Sequence, residues 1–345
     1  MNLDVRRARL AGAKAAERIL RILEVRDRIE STQERVDVFD ALAWLDVRVV
    51  FKPLDTVLGL YIRGEQPGVM INTRRPLSVQ RFTAAHELGH AVMKHEPSLD
   101  SENVLRRAAY GRSAPKIKGF ASYLQEIEAD AFAGSFVLPM WLIVHHAKKH
   151  NWSREDLGCP DVIYQLSLRC GSSYQAAVWA LERNSIIDGS RRAMLLRVKP
   201  KEIKTQIGHV ATTADTRSDA WILEEGDQAS QVPVNVGDTL TVALKQEAGA
   251  GFLWLPKQAA PSILTEIETN ITVDRTSVGS PSLRRAFYRA DVAGDGSLSF
   301  EHRRPWEPSA EKELIFNLAV SNPESGLSRA NRARMVSNIR RPDAV

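Results

Sequence analysis

Cysteine is nearly absent: the 345-residue chain has two, Cys159 and Cys170. Two thiols cannot make a disulfide framework, and neither has a partner at zinc-ribbon spacing, so a stapled secreted scaffold and a Cys-rich metal fold are both excluded. One-sided charge is missing too. Lys and Arg number 47 against 42 Asp and Glu, a net +5. Such a mild surplus permits contact with nucleic acid without arguing for it. No apolar run approaches the length of a membrane span, and Met1-Asn-Leu-Asp-Val-Arg-Arg passes straight into a charged helical pattern without a leader-type apolar stretch. These absences lead us to expect a cytoplasmic protein with no membrane partner. What remains is an ordinary globular composition, 43% hydrophobic and 26% charged, in a chain long enough for two or three domains.

The chemistry concentrates in Arg81-Phe-Thr-Ala-Ala-His86-Glu87-Leu-Gly-His90. Ser78 is a candidate N-cap, and Phe82, Ala85, Leu88, Val92 and Met93 recur at helical spacing. His86 and His90 are four apart, so both rings project from one helix face, as two ligands of a tetrahedral zinc must. Glu87, one step round, is placed to take a proton from water at such a centre. A third ligand is required. The helical pattern Tyr123–Val137, halted by Pro139, supplies Glu126-Ile-Glu128-Ala-Asp130. Glu126 and Asp130 share a face and Glu128 is rotated away from it. Glu126 is therefore the expected ligand, Asp130 the acceptor that fixes a ligating histidine's tautomer, and Glu128 the alternative ligand. His95 is kept as a spare ligand, and Tyr123 is the candidate oxyanion partner. Glu126-x-x-x-Asp130 is the pattern of thermolysin-like zincins.

Around this core, residues 3–30 carry an apolar stripe and are expected as one long helix, followed by a short helix near Val38–Leu45. Strand signals follow at Val47–Phe51, Leu58–Ile62 and Val69–Ile71. Val69-Met-Ile-Asn72 is the candidate edge for an extended substrate. Pro97–Gly119 is polar and basic, with the character of a loop or lid. Pro160–Arg169 and Ser173–Arg183, joined at Cys170-Gly-Ser172, have the length and turn of a helix-turn-helix. The second of these helices has one basic residue, Arg183, where a groove-reading helix presents several. A wall packed on the catalytic core is the preferred reading, and direct DNA binding the lesser one.

Arg81 to His90, then Gln125-Glu-x-Glu-Ala-Asp-x-Phe-Ala133 and Phe136-Val-Leu-Pro139, resemble the ImmA/IrrE family of bacterial metallopeptidases over residues 35–185. The resemblance implies a zinc endopeptidase, with Mn²⁺ as an alternative activator. It also implies a protein substrate, a helix-turn-helix repressor cleaved in a stress or mobile-element response.

Residues 188–217 are polar and basic and are expected as a linker. From Asp219 the apolar period changes to two, at Ala220–Leu223, Gln231–Val234 and Thr239–Leu244, then at Arg285–Ala290, Ser297–His302 and Lys312–Ala319. Short strands with turns between them indicate an all-β, immunoglobulin-like sandwich. Leu244–Trp254, Ser277–Pro281 and Arg303–Glu307 resemble the three loops of chagasin-type cysteine-peptidase inhibitors, although Glu247-Ala-Gly-Ala-Gly251 stands where that family has Asn-Pro-Thr-Thr-Gly. Phe252, Trp254, Arg304, Pro305 and Trp306 are the candidate binding residues. The expected chain is multidomain: an N-terminal helix (1–34), an α+β zincin-like metallopeptidase core (35–140), a helix-turn-helix-like helical extension (141–187), a basic linker (188–217), the sandwich (218–321) and a flexible basic tail (322–345). Two other functions fit the same features. One is a DNA-binding regulator or interaction scaffold with a structural metal, and the other is a peptidase-inhibitor fusion.

Overall fold

The computed structural model describes residues 3–29, 34–55, 57–96, 99–101, 120–208, 218–273 and 282–322. The expected lid, most of which falls in 102–119, the loop Ser277–Pro281, residues 209–217 of the expected linker and the tail from 323 onward lie outside them. The chain runs through α1 (Leu3–Ile22), α2 (Val38–Trp44), β1 (Arg48–Lys52), β2 (Val57–Ile62), β3 (Gly68–Asn72), α3 (Leu77–Met93), β4 (Leu99–Ser101) and α4 (Phe120–Val137). Five helices follow: α5 (Met140–Lys149), α6 (Pro160–Arg169), α7 (Tyr174–Arg183), α8 (Gly189–Leu195) and α9 (Pro200–Ile207). Then come β5 (Ala220–Leu223), β6 (Gln231–Asn235), β7 (Thr239–Gln246), β8 (Leu253–Pro256), β9 (Leu264–Val273), β10 (Ser282–Ala290), β11 (Gly294–Arg303) and β12 (Lys312–Ser321). Two compact units form: residues to Ile143 with Arg169–Asn184, and Val144–Leu168 with Ser185–Pro323.

In the first unit α1 stops eight residues short of the expected end. Glu24 adopts a left-handed conformation (φ 49°), and the Val25 N–H returns to the Leu20 carbonyl at 3.1 Å, a six-residue closure that terminates a helix. Helix α3 begins one residue before Ser78, with Pro76 at the N-cap and no side-chain cap. The fixed φ of proline suits that place, and its carbonyl accepts from Val79 and Gln80. The sheet has the order β1-β3-β2-β4. This overturns the expected substrate edge: β3 pairs in parallel with β1 and antiparallel with β2, so both its sides are occupied. On the far side of β2 lies β4. Buried Asn72 is a clamp instead. Its amide donates to the carbonyls of Leu54 (2.9 Å) and Val57 (2.7 Å) and accepts from the N–H groups of Leu54 (3.1 Å) and Arg74 (3.0 Å), using its whole capacity.

Small residues bring the helices close. A Cβ on Gly12 of α1 would lie 2.1 Å from the Glu128 carbonyl oxygen in α4. One on Gly89 of α3 would lie 3.1 Å from the Phe132 Cβ and 3.2 Å from the Ala129 Cα, also in α4. Both crossings use backbone-to-backbone approach that larger residues forbid. Helix α7 buries Tyr174, Ala177, Val178, Ala180 and Leu181. Arg183 turns inward and donates to the carbonyls of Gly134 (2.7 Å) and Leu138 (3.3 Å) at the end of α4, and burial pushes its guanidinium down to about 10. The single basic residue of this helix is thus committed to capping α4. By length and composition Ser122–Lys149 is apolar enough to cross a membrane, contrary to expectation, but more than half of its most apolar 18-residue stretch is buried. Core helices pass the same test.

The second unit is built on two four-stranded sheets, β5-β7-β10-β9 and β6-β12-β11-β8. Their inward residues, among them Trp221, Leu240, Trp254, Phe300 and Phe316, form one apolar core. Two pairings, β5 with β7 and β6 with β12, are parallel and so cannot be hairpins. Strands β8 and β9 have no counterpart in the sequence reading, because β9 is a largely exposed edge (Leu-Thr-Glu-Ile-Glu-Thr-Asn-Ile-Thr-Val) without apolar alternation. The expected linker is corrected over its described part, which holds α8 and α9. Asp188 caps α8 through the Arg191 N–H, and the Arg191 guanidinium donates to the Gly158 carbonyl. Lys204 pairs with Asp219 at 2.8 Å. On α6, Gln165 donates to the Ala220 carbonyl (2.8 Å) and accepts from the Ile222 N–H (2.9 Å), both on β5.

Asp238 sits buried in the β6–β7 turn and accepts from the N–H groups of Asp219 (2.7 Å) and Asn235 (2.8 Å) and from the Trp221 indole (3.3 Å). Burial, then the charge of Asp219, pushes its carboxyl up to about 7 from 3.8. A folded pKa above the unfolded one makes its contribution complete below about 4 and lost as pH rises through about 7. The unfolding midpoint followed by tryptophan fluorescence is expected to fall across that window. Asp238→Asn should flatten the slope and lower the midpoint throughout, because its NH₂ faces N–H donors.

Candidate metal centre and sandwich loops

Three elements supply the first unit's site. Helix α3 presents His86, Glu87 and His90, all buried, and α4 presents Glu126 and Asp130. The β2 residue Tyr61 lies parallel to the His90 ring, centroids 6.3 Å apart. His86 Nε2 and His90 Nε2 are 3.1 Å apart. Glu126 oxygens lie 3.4 Å from the first and 3.8 Å from the second. One donor atom from each of the three residues falls within 4.8 Å of the others. The structure thus brings together the three expected ligands. Asp130 Oδ1 is 2.9 Å from His86 Nδ1, the place expected for it.

The donor set fits a cation. A carboxylate at Asp130 accepts the hydrogen bond from His86 Nδ1–H, and this tautomer leaves Nε2 as a bare lone pair. That lone pair faces a second imidazole nitrogen and a carboxylate, the donor types that ligate zinc. Two nitrogens on one tetrahedral zinc, with bonds of 2.0–2.1 Å, stand about 3.3 Å apart, close to the spacing here. Burial, followed by the neighbouring His86 ring, pushes His90 down to about 3, so the imidazole is neutral, as a ligand must be. Burial also pushes Asp130 upward.

Glu128, the alternative ligand, is elsewhere. It meets His95 Nε2 at 2.9 Å, and His95 Nδ1 meets His90 Nδ1 at 2.9 Å. The spare ligand His95 is therefore behind His90 rather than in the site. Glu87 lies against β2: a Cβ on Gly59 would come within 2.5 Å of Glu87 Oε1 and of the Thr83 methyl. Gly59 went unnoticed in the sequence, since only the fold brings β2 over α3. Tyr123 is half-buried on α4, one turn before Glu126.

The sandwich loops are described within the second unit. The first turns through a short 3₁₀ segment to Gly251, which is left-handed (φ 81°) with Trp306 directly over it: a Cβ would lie 2.8 Å from that indole. Arg304 donates to the Ala250 carbonyl (3.2 Å), pairs with Glu307 (2.9 Å) and places its guanidinium 4.6 Å from the centre of the Phe252 ring. Phe252 is half-buried, while Pro305 and Trp306 are exposed, Trp306 by 71%. Trp254 is corrected. It is 1% exposed, and its indole donates to the Lys245 carbonyl, which makes it core rather than contact surface.

Residues 44–182 match the model of the IrrE N-terminal-like domain, Peptidase M78, and residues 233–320 that of the chagasin family peptidase inhibitor I42. No curated protein sequence matches significantly. Among solved structures, the cysteine protease inhibitor EhICP2 from Entamoeba histolytica is 18% identical over 31% of this chain and 100% of its own, with a TM-score of 0.29. Amebosin is 17% identical over 30% of this chain and 98% of its own, at 0.26. PbICP-C, solved in complex with falcipain-2, is 18% identical over 30% of this chain and 91% of its own, at 0.22.

Proposed function

We propose that this chain, with an IrrE N-terminal-like region followed by a chagasin-family region, is a zinc-dependent endopeptidase. In this reading His86, His90 and Glu126 hold the metal, with Mn²⁺ as its alternative, and the substrate is a helix-turn-helix repressor in a stress or mobile-element response. The observation that carries the reading is the buried meeting of two imidazole nitrogens and a carboxylate, with Asp130 behind one ring and Glu87 beside it. A zinc held there supplies Lewis acidity to a peptide carbonyl and lowers the pKa of water toward neutrality. Glu87 accepts the proton that water loses and passes it to the leaving nitrogen. Asp130 keeps His86 in one tautomer and one orientation.

The sandwich serves as the recognition module, with Trp306 and Pro305 as its exposed anchors. Commitment of Arg183 to the end of α4 supports a wall rather than a DNA-reading helix. The test is cleavage of a helix-turn-helix repressor encoded beside the gene, read by mass spectrometry with added Zn²⁺ or Mn²⁺. We expect a single cut, abolished by chelation, that Trp306→Ala slows while a short peptide carrying the same bond is still cut. Absence of any metal-dependent cut sinks the substrate assignment. The chagasin-family match favours one second reading, in which the loops restrain a cysteine peptidase. Inhibition of a papain-like enzyme by the full chain, lost in Trp306→Ala, would establish it.

A further inference from the structure

His95 and Glu128 have no part in the chemistry just described, yet both are held in place with care. Lys94 closes α3 in the left-handed region (φ 57°), and this reversal returns the His95 N–H to the His90 carbonyl at 3.0 Å. A non-glycine residue adopts that conformation only at a cost. The reversal folds the His95 ring back onto His90, with the ring centroids 4.9 Å apart and the planes at 74°. His95 is 5% exposed. On its far side the Glu128 carboxylate waits at 2.9 Å.

We propose that His95 is a positioning residue for the metal ligand His90, and that Glu128 sets it; this rests on the metal reading above. The argument is a proton inventory. A carboxylate accepts only, so His95 Nε2 carries the proton that faces Glu128. A neutral imidazole has one donor nitrogen and one acceptor nitrogen. Its Nδ1 is then a bare lone pair, 2.9 Å from His90 Nδ1. The proton between them belongs to His90, and His90 Nε2 is left bare toward His86 and Glu126. Each ligating imidazole thus has a carboxylate behind it: Asp130 directly for His86, and Glu128 through one imidazole for His90. Three acidic residues on two turns of α4 divide the work, with Glu126 inside the centre and Glu128 and Asp130 outside it.

Zinc affinity measured by competition with a chromophoric chelator tests this, with Co²⁺ absorption as a second readout of ligand geometry. Outer partners of this kind are worth about 10–100-fold in metal affinity. His95→Leu, which keeps bulk but cannot accept, should lose that much and shift the Co²⁺ bands. His95→Gln, whose amide can accept from His90 and donate to Glu128, should recover most of the affinity. A merely structural role would not separate the two. If His95→Leu does not fold, Glu128→Ala decides: a several-fold loss with unchanged circular dichroism supports the relay, and wild-type affinity overturns it. Wild-type affinity in folded His95→Leu also overturns it. Failure of the unmodified chain to take up zinc or cobalt removes the metal centre itself, a different result.

Discussion

Replacing Glu87 by Gln is expected to leave zinc uptake unchanged and to lower peptide-bond cleavage by about 10²–10⁴-fold, the range for losing a general base. The side chain is nearly isosteric and lies on α3 between the two histidines, buried to 1% exposure, so the scaffold has little reason to move. What changes is the basicity of one oxygen. Its position depends on Gly59, because a methyl there would lie 2.5 Å from Glu87 Oε1. Gly59→Ala should therefore act on the same step by displacing the carboxylate rather than removing it. An error of about 1 Å in such a group can cost as much as 10²-fold. Zinc titration beside single-turnover cleavage separates the cases: both variants bind metal and both cut slowly. Cleavage by Glu87→Gln at the wild-type rate would falsify the assignment of the base.

The largest stability effect is expected from Gly12→Ala. The new Cβ would meet the Glu128 carbonyl oxygen at 2.1 Å, the Glu128 carbonyl carbon at 3.0 Å and the Phe132 nitrogen at 3.0 Å. All three are backbone atoms of a buried helix, so the strain is relieved only by parting α1 from α4. Overpacking of this kind costs about 1–3 kcal/mol, and more where backbone must shift. At about 2–4 °C per kcal/mol for a unit of this size, the melting temperature should drop by several degrees. Gly64→Ala, whose nearest neighbour would be the Gln66 carbonyl oxygen at 3.7 Å, is the control and should be neutral. The displaced segment carries Glu126, Glu128 and Asp130, so Gly12→Ala should weaken zinc binding as well. A variant that melts with the wild type would mean that α1 yields without cost.

The centre was legible in the sequence wherever its geometry lies within one helix. The four-residue spacing of His86 and His90, and that of Glu126 and Asp130, fixes which side chains share a face whatever packs against them. Relations between elements were not legible. Glu128 reads as the alternative ligand because nothing in its own helix says that the turn at Lys94 brings His95 across to meet it. Strand β3 looked like an edge because it precedes α3, but pairing order is a tertiary property and β1 occupies its other side. The linker over 188–208 was misjudged for the opposite reason. Its basic residues suggested solvent, whereas Arg191 and Lys204 hold the Gly158 carbonyl and Asp219. In the sandwich, alternation revealed the strands with one buried face and missed β9, whose residues mostly face water.

Strand β5 ends its sheet, and an uncovered end offers bare N–H and C=O groups on which any passing extended chain can polymerise. The amide of Gln165 meets this hazard, beside the Tyr164 hydroxyl that accepts from the Ala220 N–H. It satisfies the Ala220 carbonyl and the Ile222 N–H as a neighbouring strand would, but it presents no further row of groups for the next molecule to join. Pairing at this end of the sheet is thus blocked from a helix, whereas β9 ends the sheet on the other side.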